Sequence, residues 1–130
     1  MKESRSTEQT VVIQARLAGM NEIIAADRNH WAKGAALKRS LTDLCRLHFL
    51  HAIGKGFEPI TDKVDLFVTW FEPNRRRDPD NIYSGMKFIL DGMIKAGAIK
   101  GDTQDYIGDI NNHIEVDKKN SRIEITFRRC

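Results

Sequence analysis

From Thr10 to Leu17 apolar and polar residues alternate, with Val11, Ile13, Ala15 and Leu17 on one side, which predicts a β-strand over TVVIQARL. A short helical or irregular piece is expected at Asn21 to Arg28, then a stronger helix from about Gly34 to Ile53. In that helix Leu37, Leu41, Leu44, Cys45, His48, Phe49 and Ala52 keep helical spacing, and Lys38, Arg39, Asp43 and Arg46 lie off the stripe. Gly54 and Gly56 end it. KVDLFVTWFE carries Leu66, Val68 and Trp70 on one face and Phe67 and Phe71 on the other. Apolar residues on both faces predict a central strand, closed by Pro73. A helix is then predicted from Pro79 to about Ala96, with Ile82, Met86, Ile89, Leu90, Met93 and Ile94 toward the core. DYIGDINNHIEV and RIEITFRR read as two strands of a hairpin joined by DKKNS, with Ile123, Ile125 and Phe127 inward. The order strand, helices, strand, helix, strand, strand predicts a small single-domain α+β fold, its mixed or antiparallel sheet of about four strands packed against helices.

Composition adds boundaries to this picture. The chain has 130 residues, 41% of them hydrophobic, enough for one core. The polar start predicts a disordered tail over residues 1–8 and a single domain over 9–130. No run approaches the ~20 apolar residues of a membrane span, and the start lacks the apolar stretch of a signal peptide, so a cytoplasmic protein is expected. Cys45 and Cys130 match neither a disulfide framework nor a zinc site, and His48 and His51 have no third ligand in view. The net charge of +3 is small, so placement matters more than size. Basic residues cluster at Arg28 to Arg39, at Arg75 to Arg77 and at Arg128 to Arg129.

The densest charge lies in NRRRDPDN, Asn74 to Asn81. Helix capping accounts for both acids: Asp78 at the N-cap, Pro79 at the first helical position, Asp80 in the first turn. On the face opposite the core, Asp80, Ser84, Lys87 and Asp91 form a band, and Lys87 and Asp91 are spaced for an ion pair. Capping leaves Arg75, Arg76 and Arg77 crowded at the positive end of a helix dipole, which is unfavourable unless an anion joins them; phosphate is the expected one. Carboxylates beside arginines also suit a hard divalent cation such as Mg²⁺, which takes oxygen ligands and keeps several waters. The combination is that of metal-assisted phosphodiester cleavage.

RRRDPDN followed by KFILDGMIKAGAIKGD resembles the RusA family of Holliday-junction resolvases, many of them phage- or prophage-borne. The likeness is dense from Arg75 to Asp102 and looser in GMNEIIAADRNHWAKGAALKR, where an asparagine and a basic helix follow the first strand. It implies a homodimeric endonuclease that nicks four-way DNA junctions symmetrically in recombination and repair, with Mg²⁺ or Mn²⁺ and no small-molecule cofactor. By the resemblance, Asp78, Asp80 and Asp102 are the metal-binding and catalytic acids, Lys87 is the catalytic lysine, and Asn81 and Asp91 are supporting residues. Two departures stand out. Lys87 lies six residues after Asn81 where short family members have three, and Gly101 replaces the first of a double acid before Asp102.

Arg75, Arg76 and Arg77, with Arg28, Lys33, Lys38 and Arg39, are the candidate DNA contacts; an ordinary solvated helix face accounts for the last four equally well. Trp31 could stack on an unpaired base, although a packed core position is the expected one. A nuclease for forks or flaps, or a junction-binding protein without cleavage, fits the same residues. One continuous helix from Pro79 to Ala96 would be ~27 Å long. The stretch from Gly97 to Asp102 reaches ~20 Å at most. Asp102 therefore returns to Asp78 only if the helix breaks near Ser84–Gly85, or if a two-fold mate supplies it.

Overall fold

The computed structural model of the chain describes residues 8–130. Its elements are β1 (Glu8–Ile13), α1 (Met20–Asn29), α2 (Trp31–Gly54), β2 (Val64–Glu72), α3 (Pro79–Tyr83), α4 (Met86–Ala96), β3 (Ile107–Val116) and β4 (Arg122–Arg129). They make one α+β domain around a four-stranded mixed sheet of order β1-β4-β2-β3. β4 runs antiparallel to both β1 and β2, and β3 runs parallel to β2. Most of the expected tail lies outside the described residues; Glu8 belongs to β1, where Arg128 donates to its carboxylate.

β2 is internal, as its two apolar faces require. Val64, Leu66, Val68 and Trp70 point into the core with Ile123, Ile125 and Phe127 of β4, Cys45 and Phe49 of α2, and Ile89 and Met93 of α4. Among the described residues no helix is packed over the other face. Phe71 and Phe67 are roofed instead by the guanidinium groups of Arg122 and Arg128, 3.7 and 4.5 Å from the ring centres. On the helical layer α2 and α4 touch at Gly92, where an added β-carbon would come within 2.6 Å of Cys45 Cβ and 2.8 Å of the Arg46 amide nitrogen. Burial at this contact pushes the Cys45 thiol up to about 12, so it serves as a small apolar side chain.

Three expectations need correction. The first strand ends at Ile13, four residues before Leu17, although Leu17 is still buried. The last two strands are no hairpin: β2 lies between β3 and β4, so β3 forms one edge of the sheet. The turn DKKNS therefore carries the chain past the end of β2, where the Asp117 amide donates to the Glu72 carbonyl at 2.8 Å. Finally, the helix from Pro79 to Ala96 breaks at Ser84–Gly85. Ser84 Oγ donates to the Asn81 carbonyl at 2.6 Å, the acceptor that the Gly85 amide would use in a continuous helix, and that amide turns to Ile82 at 3.1 Å. Gly85 lies against the sheet; an added β-carbon would stand 3.2 Å from the Trp70 ring.

Candidate nuclease site

The alternation that makes β2 a strand also sends Glu72 inward, with Val64 to Trp70, and there it is only 3% exposed. Arg16, from the segment after β1, donates to Glu72 Oε1 at 2.9 Å. Arg77 grips both oxygens, Nε to Oε1 at 3.0 Å and a terminal nitrogen to Oε2 at 2.7 Å. The other terminal nitrogen of Arg77 reaches the Leu17 carbonyl at 2.9 Å and Glu22 Oε1 at 3.2 Å. Burial alone would raise the Glu72 pKa, but the bonds from Arg77 and Arg16 outweigh it and hold the carboxyl below its ordinary value. Glu22 is lowered too, with desolvation opposed by the Gly19 amide, Asn81 and Arg77.

This network fastens the segment before α1 to the DPDN stretch. Asn81, itself buried, accepts from the Asn21 amide at 2.9 Å and donates to Glu22 Oε2 at 3.3 Å. Gly19 makes the approach possible, because a β-carbon there would fall 2.5 Å from the Asn81 carbonyl oxygen. Asp78 occupies the N-cap of α3 and Pro79 follows it, yet the Asp78 side chain makes no capping hydrogen bond. Among the described residues Asp80 accepts only from the adjacent Asn81 amide, at 3.0 Å. Both carboxylates are exposed.

Asp78 borders a depression of about 560 Å³ with Arg75, Arg77, Pro79 and, from the end of β3, Glu115 and Val116. Arg75 and Arg76 are exposed, whereas the Arg77 side chain is 12% exposed and turned inward. The anion its position calls for is Glu72. Lys87 and Asp91 form the expected ion pair at 3.5 Å, with Lys87 72% exposed. They lie apart from Asp78, in a shallower depression of about 210 Å³ between α2 and α4 that also gathers Lys38, Arg39 and Lys95. Phe88, beside Lys87, is buried and was absent from the expected core face. Arg28 and Lys33 sit at the junction of α1 and α2, and Trp31 there is 76% exposed, so the core position expected for it does not hold.

Asp102 is at the other end of the sheet. It precedes β3 by five residues, β3 starts beside Val64 at the start of β2, and Ile99 bridges to Ile60. Asp78 and Asp80 follow the finish of β2. A nine-residue strand separates the two places, ~27 Å at ordinary strand rise. Accordingly, among the described residues no three His, Cys, Asp or Glu side chains are grouped to hold a metal ion. One chain by itself does not fit the metal that the three aspartates imply.

The pattern of the sequence did not single out Glu72, Glu22, Arg16 or Glu115. For Glu72 the signal was available: a charged residue on the inward parity of the best strand must have buried partners. No protein-family model matches the chain, and no curated protein matches it.

Proposed function

We propose that this chain is a structure-selective DNA endonuclease of the RusA type, dependent on Mg²⁺ or Mn²⁺, whose substrate is the four-way junction. The observation that carries the reading is the state of Asp78. It holds the N-cap position without capping, beside exposed Asp80, on backbone fixed by the Glu72–Arg77–Glu22–Asn81 network. An exposed carboxylate that makes no capping bond, beside a second held by one bond from the Asn81 amide, leaves oxygens for a cation on a rigid platform. Arg75 and Arg76 stand next to them as phosphate contacts, and a separate groove between α2 and α4 offers Lys38, Arg39, Lys87 and Lys95, with Asp43 and Asp91 among them.

The distance to Asp102 supports a two-chain site. β3 is an edge strand with most of its side chains exposed, and among the described residues no strand pairs with its outer edge. Antiparallel pairing with the β3 of a second copy would set the start of one strand beside the end of the other. Asp102 of each copy would then approach the Asp78–Asp80 end of its mate. In such a dimer Asp78, Asp80 and the mate's Asp102 would hold the cation, which supplies charge neutralisation at the phosphodiester and a more acidic water. The chain's own part is to fix the acids, bind flanking phosphates through Arg75 and Arg76, and present the basic groove to the duplex arms.

The test is cleavage of an end-labelled synthetic four-way junction beside a linear duplex of the same arms, with Mg²⁺ or EDTA. Paired nicks on the junction, absent with EDTA and reduced at least ~100-fold in Asp80→Asn while junction binding persists, are expected. Tight junction binding without nicks in Mg²⁺ or Mn²⁺ would overturn the nuclease reading and return Asp78 and Asp80 to helix capping.

A further inference from the structure

α1 and α2 form a helical hairpin with an unusually close elbow. Asp27 lies against Gly34, where any β-carbon would collide with its carboxylate, and Lys38 pairs with Asp27 at 3.7 Å. The turn between the helices is the single residue His30, extended at φ −168° and ψ 125°. At its base the hairpin is bound to the acid-bearing segment, through Met20 to Ser84 at 2.9 Å and Asn21 to Asn81 at 2.9 Å. The ten residues of α1 carry the tip ~15 Å from that anchor.

The side chains at the tip suit one kind of ligand. Trp31 is 76% exposed, the most exposed large apolar residue among those described. Its ring stacks near-parallel on the His30 imidazole, with centres 6.2 Å apart and planes 17° from parallel. His30 is itself oriented, since its Nδ1 accepts from the Ala32 amide at 3.1 Å. Arg28 and Lys33 flank the pair, both exposed and neither in an ion pair among the described residues. No acid stands in the first turn of α2 to offset them. A protein partner would call for an apolar surround, but apart from Ala32 the residues next to Trp31 in the sequence are polar or charged, Arg28, Asn29, His30 and Lys33. An aromatic face between unpaired cations matches a nucleobase with its flanking phosphates.

We propose that the α1–α2 elbow is a binding site for an unpaired nucleotide, the base stacking on Trp31 and its flanking phosphates meeting Arg28 and Lys33. In the setting of the nuclease proposed above, on which the biological use of this site rests, the elbow takes a base released near the branch point, about one helix length from the acids. The binding itself is independent of cleavage.

The test reads indole fluorescence, and in parallel the anisotropy of a fluorescein-labelled strand, during titration with a 15-nucleotide oligothymidylate and with a blunt duplex of equal length, in wild type, Trp31→Ala, Trp31→Phe and the Arg28→Ala/Lys33→Ala pair; affinities of the variants are taken from the anisotropy. Trp70 is buried and provides a constant background. Saturable quenching by the single strand, much weaker with duplex, is expected. Trp31→Ala should abolish the quench and weaken single-strand binding about 5- to 100-fold, with Trp31→Phe recovering most of the affinity. Equal oligothymidylate affinity in wild type and Trp31→Ala would overturn the proposal. So would a Trp31→Ala variant that changes oligomeric state and leaves single-strand affinity intact, which would assign the tip to contact between copies. Junction nicking is scored separately: nicking by wild type without a Trp31-dependent quench sinks this site alone, and quenching without nicking sinks only the nuclease reading.

Discussion

Glu72 sits at an inward position of β2 between two guanidinium groups, and removing it would leave Arg16 and Arg77 short of their common partner. Breaking a buried pair from one side costs about 3–5 kcal/mol, against a typical whole-domain stability of about 5–15 kcal/mol. Glu72→Ala should therefore lose a large part of the stability measured by urea denaturation, and Glu72→Gln, which keeps the shape and an acceptor, should lose less. The pH dependence follows from the lowered pKa. A carboxyl held below its ordinary value of 4.5 contributes its full stabilisation above that value and loses it as pH falls through the folded-state value. Thermal melts should show wild type losing stability on acidification below about pH 4.5 more steeply than Glu72→Gln, and an equal acid dependence in both would contradict the assignment. Residue-level chemistry was partly legible in the sequence. The order RRRDPDN placed Asp78 at an N-cap, but nothing local told that Arg77 would turn inward while Arg75 and Arg76 stay exposed. That choice is made by Glu72, Glu22 and the Leu17 carbonyl, two of them more than 50 residues away in the chain.

Helices and strands that carry a strong period were readable, and their limits were set by contacts that no period encodes. β2 and β4 appear where alternation puts them. The break between α3 and α4 comes from one hydroxyl competing for the Asn81 carbonyl. β3 and β4 are adjacent in sequence yet do not pair with each other, because β2, apolar on both faces, pairs with each of them. The α2–α4 contact gives an element-scale prediction. Gly92→Ala adds a methyl against Cys45 and the Arg46 backbone, and overpacking of this kind costs about 1–3 kcal/mol. Thermal denaturation should show a lowered midpoint, whereas the helix-propensity gain alone would raise stability by up to about 1 kcal/mol, so the sign of the change decides whether the contact is as close as described.

At the scale of the whole molecule, the sheet separates Asp78 and Asp80 from Asp102, and the helical layer carries a groove in which four cations share the lining with Asp43 and Asp91. Asp78 and Asp80 lie beyond the finish of β2, Asp102 lies before the start of β3, and Lys38, Arg39, Lys87 and Lys95 line the groove between α2 and α4. If those cations neutralise phosphates, junction affinity must fall steeply with salt. Removing one phosphate-binding side chain should flatten a plot of log affinity against log salt by about 0.9, so Lys38→Ala/Arg39→Ala should reduce the slope by about 2 in a binding titration from about 50 to 200 mM salt. An unchanged slope would remove the groove from the DNA interface. No helix among the described residues is long and apolar enough to cross a membrane.

The central claim is that two copies of the chain complete each other's site, and it is tested by mixing. Asp78→Asn and Asp102→Asn chains, each inactive alone, are co-refolded and assayed on the labelled junction in Mg²⁺. If Asp102 serves the mate's Asp78–Asp80 end, each mixed dimer contains one doubly mutated site and one intact site, and single-strand nicking returns to about half the wild-type rate per mixed dimer. If the mixture, shown by size and subunit exchange to contain mixed dimers, stays as inactive as either parent, the acids do not act across the interface and the two-chain site is wrong.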